Sequence, residues 1–259
     1  MNQAATELKI TRQIPTVAID TNLLKFAAVK HRVYRMRTEQ VKWGKVDLDI
    51  QVRERYTVNT IALLKSNTQK RDVIFLAMIA YAAIRGHIRL FIHREVEIES
   101  WSLPGVSSAS GKFFGAPFEC LPDPDGPYGR IVLGGRKRAK EYRLEFLSGI
   151  SHPRYLTLLK LTGGFQGHDK PLNLNQASDA FHLWCAESAA IDYFVTMDYK
   201  LVGLFEKNKN KSNVSIVTPN TLLKSVVPKF GFWNAAKFIC QGYFFAKRQV
   251  AFVGGEGWE

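Results

Sequence analysis

The chain has 259 residues, of which 46% are hydrophobic and 23% charged, enough for one α/β domain or for a core domain carrying an insertion. No apolar stretch reaches the roughly 18 residues of a membrane span, the polar Met1 to Arg12 do not read as a secretory signal, and three scattered cysteines (Cys120, Cys185, Cys240) suggest neither a disulfide framework nor a zinc cluster. The expectation is a cytoplasmic protein without membrane contact, and its net charge of +13 favours an anionic partner such as nucleic acid.

Ile14 to Asp20 (IPTVAID) is a continuous apolar run ending in Asp-Thr-Asn, the pattern of a strand buried on both faces. From Leu23 through Leu64 the spacing predicts a long basic helical stretch broken near Gly44. Asp72 to Ile84 predicts a mostly buried helix stopped by Gly86. His87 to Ile92 reads as a second strand and Glu95 to Trp101 as the start of the next helix. Gly, Pro and Ser then dominate from Leu103 to Gly135. Strands are expected at Tyr142 to Phe146 and at Tyr155 to Leu161. Residues 103–174 are taken as an insertion of their own fold. Asn175 to Ala190 predicts a helix, with Ser178 as N-cap and Asp179 in its first turn. Tyr193 to Thr196 and Val214 to Val217 are the third and fourth strands, and an aromatic extension covers 228–259. Helix–strand alternation at both ends implies a parallel sheet flanked by helices, with the core formed by 1–102 and 175–227.

Ligands of open parallel sheets bind beyond the carboxyl ends of the strands. Acidic residues fall there from four separate segments: Asp20; Glu95, Glu97 and Glu99; Asp179; and Asp198. Carboxylates gathered together repel one another unless a cation compensates. A set of oxygen donors without histidine or cysteine suits Mg²⁺ or Mn²⁺. Such ions lower the pKa of a bound water and offset charge at a phosphate under attack. His182 lies one turn after Asp179 on the face of Ala186 and Ala190 and reads as a buried residue beside the site. Glu187 reads as a solvent-facing rim residue and Asp192 as a turn residue.

Four stretches resemble the PIN domain nucleases: Val17 to Leu24 (VAIDTNLL), Gly86 to Glu99 (GHIRLFIHREVEIE), Ser178 to Asp198 (SDAFHLWCAESAAIDYFVTMD) and Val214 to Leu223 (VSIVTPNTLL). The resemblance implies a three-layer α/β/α sandwich around four or five parallel strands, and divalent-metal-dependent cleavage of RNA. It places metal-binding and catalytic roles on Asp20, Asp179, Asp198 and one glutamate after the second strand. Glu99 is chosen because it stands three residues after Val96, with Glu97 and Glu95 as alternatives. Asn22 and Thr196 take supporting roles. Residues 103–174 have no counterpart in compact members of the family.

The basic residues concentrate at Lys30 to Arg55, including Arg32 and Arg35, and at Arg130 to Arg143, including Arg136, Lys137, Arg138 and Lys140. These runs are expected to hold the RNA backbone. The resemblance also raises a toxin role with a protein antitoxin as partner. A non-cleaving nucleic-acid-binding module and a structure-selective DNA nuclease stand as alternatives.

Overall fold

The computed structural model describes residues 14–27, 30–44, 46–59, 61, 64–100, 113–124, 136–165, 167, 172–208 and 211–251. The opening apolar run forms β1 (Thr16–Ile19) at the middle of the main sheet. It is joined by β4 (Arg89–His93), β5 (Glu119–Leu121), β6 (Tyr193–Val195) and β7 (Ser215–Val217) in the order β5-β4-β1-β6-β7. Every pairing in this sheet is parallel. All its carboxyl ends therefore share one edge.

Helices cover both faces, which gives the α/β architecture expected from the sequence. Val17 and Ile19 pack into one apolar cluster with Leu76, Ile79 and Ala83 of α2 (Asn67–Ile84). Ala18, between them, packs into the other with Phe181 and Ala186 of α6 (Leu174–Ser188). Strand alternation thus sends successive side chains into opposite layers. Gly86 stops α2 as expected. At φ +70 it lets its own N–H reach Ala83 O and that of His87 reach Ala82 O, the hydrogen-bond pair of a Schellman cap.

The basic stretch after β1 is not a long helix. A short α1 (Thr21–Ala27) gives way to an antiparallel ribbon of β2 (Lys30–Trp43) and β3 (Val46–Asn59), a two-stranded sheet separate from the main one. Gly44 at φ +65 makes the two-residue reversal a tight one. Between residues 34 and 54 none of the described side chains is buried. In β3, Val46, Leu48, Ile50 and Val52 alternate with Asp47, Asp49, Gln51 and Arg53, a period of two that points to a strand rather than a helix.

Residues 103–174 also differ from expectation. Their β5 completes the edge of the main sheet, and the two expected strands are helices α4 (Arg136–Ser148) and α5 (Pro153–Leu161). The alternation of Tyr142, Leu144 and Phe146 misleads because the buried set follows a helical step, through Leu147 on α4 to Ile150 just beyond it, while Tyr142 is exposed. Both helices pack on α6. Around the C-terminal half of the sheet, α3 (Arg94–Ser100) follows β4, α7 (Tyr199–Lys207) follows β6, and α8 (Pro219–Val226) follows β7. Helix α9 (Phe232–Ala251) lies on α2, with Phe238 buried and Tyr81 donating to Gln241 Oε1 at 2.8 Å, while Trp233 and Phe244 face solvent. Among the described residues no helix is long and apolar enough to cross a membrane.

Candidate active site

Asp20 is fixed by the sheet itself. Its backbone N–H continues the β1–β6 ladder to Val195 O at 3.1 Å, which leaves the side chain at the carboxyl edge, only 3% of the residue exposed. Its Oδ2 accepts from Thr196 Oγ1 at 2.7 Å and from Asn22 Nδ2 at 3.0 Å. Burial pushes the Asp20 carboxyl up, against the opposing effect of those two hydrogen bonds. Thr196 Oγ1 in turn accepts the backbone N–H of Asp198 at 3.0 Å. One hydroxyl therefore ties the ends of two strands together.

Asp198 caps α7, its Oδ1 accepting from Lys200 N at 2.9 Å and Leu201 N at 3.1 Å. Asp179 faces the site from the second turn of α6, because the N-cap is Asn173; Ser178 lies inside the helix and donates to Leu174 O. The Asp179 carboxyl is pushed up to about 8, first by burial and then by the charges of Asp20 and Asp198, with Arg143 acting the other way. Asp179 on the helix thus feels the charges of Asp20 and Asp198 from the ends of two strands.

Of the three glutamates on α3, Glu97 is exposed, Glu95 is buried and Glu99 is half-buried. Glu99 accepts from Thr21 Oγ1 and pairs with the Arg143 guanidinium. His182 Nε2 stands 3.5 Å from its Oε1. Burial holds His182 well below the ordinary histidine range, with Arg143 and His93 adding to the effect. The imidazole is thus neutral and 2% exposed, as its helix position suggests. Beside Glu95, His93 Nδ1 accepts the Glu95 backbone N–H at 3.1 Å, and His93 Nε2 meets Asp123 Oδ1 at 3.0 Å.

Arg143 on α4 was legible only as one member of a basic run. Burial lowers the pKa of its guanidinium, opposed by the charges of Glu95, Asp179 and Asp20. It is a cation among the acidic groups of the centre, and its pairing with Glu99 spans a sequence separation that no local pattern reveals. Thr21 and Asp123 were missed for a similar reason, since each acts through a partner on another element.

The donor set suits a hard divalent cation: carboxylates arriving from the ends of β1 and β6 and from α3 and α6, with Asp179 pushed up by burial and then by two of its neighbours. Among the described residues no group of three His, Cys, Asp or Glu is arranged to hold an ion as it stands. The Arg143 guanidinium lies among those carboxylates instead.

Lys140 is exposed one turn before Arg143 on α4. Arg35 is exposed on the ribbon and paired with Glu54 at 2.7 Å. The side chains of Arg32, Arg136, Lys137 and Arg138 lie outside the described residues. Glu187 is not a rim residue. Its side chain is 4% exposed and accepts from Arg154 through both oxygens at 2.6 Å, from Ser212 Oγ at 2.9 Å and from Asn213 N at 3.0 Å. Asp192, before β6, accepts from Thr16 N at 2.8 Å and Thr16 Oγ1 at 2.9 Å, pinning the other end of β1. Compared with protein-family models, curated proteins and solved structures, the chain matches none.

Proposed function

We propose that this chain is a divalent-metal-dependent endoribonuclease of the PIN-like kind, with Asp20, Asp179, Asp198 and Glu99 as its metal-binding carboxylates. The observation that carries the reading is that Asp179 feels the charges of Asp20 and Asp198 at the carboxyl edge of a parallel sheet: burial first, and then those two charges, push it up to about 8. Bringing like charges together around the buried Asp20 is unfavourable for a fold unless a cation joins them. Mg²⁺ or Mn²⁺ bound there would activate a water and offset the charge on a phosphodiester.

The chain's own residues divide the remaining work. Thr196 and Asn22 fix the Asp20 carboxylate by donating to its Oδ2, and Thr21 fixes Glu99. His182, neutral and buried behind Glu99, excludes water from that side. Lys140 and Arg143 stand one turn apart on α4, so a basic stripe leads along that helix to the acidic centre. Such a stripe suits a polyanion led to a site that cuts it. RNA is chosen as substrate from the PIN resemblance of the DTN, SDAFH and TMD segments.

The test is cleavage of labelled RNA and of DNA of the same sequence by purified protein in Mn²⁺, Mg²⁺ or chelator. Metal-dependent cutting of RNA alone is the expected result. Cutting of DNA alone assigns a DNA nuclease, and binding without cutting in any metal assigns a binding module.

A further inference from the structure

Taking the carboxylate cluster as the divalent-metal site proposed above, we infer that Arg143 is a built-in counter-cation that competes with the metal for Glu99 and holds the site closed in its absence. Three observations meet on this side chain. Its guanidinium is paired with Glu99, and both groups are mostly shielded from water, at 18% and 17% side-chain exposure. The charges of Glu95, Asp179 and Asp20 all act on it. And it arrives from α4, a helix that packs on α6 rather than from any strand that carries a carboxylate.

A buried arginine amid carboxylates has one of two physical meanings. It is a fixed structural pair, or it stands where another cation belongs. The surroundings favour the second. A structural pair would neutralise its surroundings, yet the Arg143 guanidinium is a single positive charge set against Glu99, Glu95, Asp179 and Asp20. One positive charge is insufficient for these carboxylates, and a divalent cation supplies two. Two cations cannot share the same carboxylate pocket without repelling, so metal entry displaces the guanidinium from Glu99. His182 Nε2, 3.5 Å from Glu99 Oε1, has no hydrogen-bond partner among the described residues. It is therefore in place to meet the carboxylate when Arg143 leaves. Outward along α4 the guanidinium would join Lys140 on the stripe proposed to track the nucleic-acid backbone, where a phosphate offers it a bidentate partner.

The test compares Mn²⁺ binding by calorimetry, without nucleic acid, for wild type, Arg143→Met and Arg143→Lys. Methionine keeps much of the length and apolar packing, and lysine keeps the charge. The expected result is Mn²⁺ affinity at least about tenfold tighter in Arg143→Met, with Arg143→Lys close to wild type. A second readout is melting temperature. In chelator Arg143→Met melts below wild type, and saturating Mn²⁺ raises it by more than it raises wild type. Equal Mn²⁺ affinity in all three proteins overturns the role of Arg143 while leaving the metal site standing. Absence of Mn²⁺ binding in all three overturns both. Should Arg143→Met fail to fold, Arg143→Lys with weaker binding than wild type also overturns the competition, since a retained positive charge that merely displaces should not lower affinity further.

Discussion

Thr196 serves two acidic groups at once, donating to Asp20 Oδ2 at 2.7 Å and accepting from Asp198 N at 3.0 Å. Thr196→Val keeps the shape but leaves a buried N–H without its acceptor and removes a donor from a buried carboxylate. The expected cost is about 1–3 kcal/mol in urea denaturation, with slower cleavage at unchanged RNA affinity. Asp179 gives a pH signature. Its folded-state pKa of about 8 lies above the ordinary 3.8, so folding takes up a proton between those values and stability falls as pH rises through the window. Melting temperature measured in chelator should decline from about pH 5 to about pH 8 and level off above; Asp179→Asn should flatten that decline. The aspartates were legible in the sequence because each sits at a fixed offset from an apolar strand or an apolar helix face. Arg143 was not. Its partner Glu99 belongs to another element, and an ion pair between distant segments leaves no mark on local periodicity.

Glu187 shows how the elements around the site are braced. It joins α6 to Arg154 at the start of α5 and to Ser212 and Asn213 before β7. Glu187→Ala should cost about 2–3 kcal/mol, less than a fully buried pair because Arg154 is partly exposed, while leaving metal-dependent cleavage intact in the folded fraction. Loss of activity at full stability would contradict this bracing role. Four strands of the main sheet were legible, since buried parallel strands are short apolar runs that end in turn residues. β5 was not, because Glu119–Leu121 (ECL) is only three residues long and sits among prolines and glycines. The ribbon was missed for another reason: β3 alternates Val46, Leu48, Ile50 and Val52 with polar residues, but the basic run of β2 before it keeps no single period along its length.

Across the molecule, the charge of +13 surrounds a centre that is acidic. The ribbon of β2 and β3 carries Arg35, Arg37, Lys42 and Arg53 among its described residues, and at its tip Val41, Trp43, Val46, Leu48 and Ile50 are exposed. Because no described side chain between 34 and 54 is buried, the ribbon adds little to the core. Replacing residues 30–59 by a short Gly-Ser linker should therefore shift the melting temperature by no more than about 3 °C. RNA binding should weaken and become less dependent on salt, as phosphate contacts are lost. A collapse of stability would show that the ribbon is part of the core.

All of this turns on whether the carboxylate centre cuts. The measurement is cleavage of a labelled RNA in Mn²⁺ by wild type and by Asp20→Asn, each shown to be folded by its thermal melt. Asparagine keeps the size of the side chain and removes the charge at the middle of the cluster. Cutting by wild type that falls by at least about a thousandfold in Asp20→Asn, with RNA still bound, is the expected outcome. Equal cutting by both proteins, or none by the wild type in any divalent metal, would contradict it.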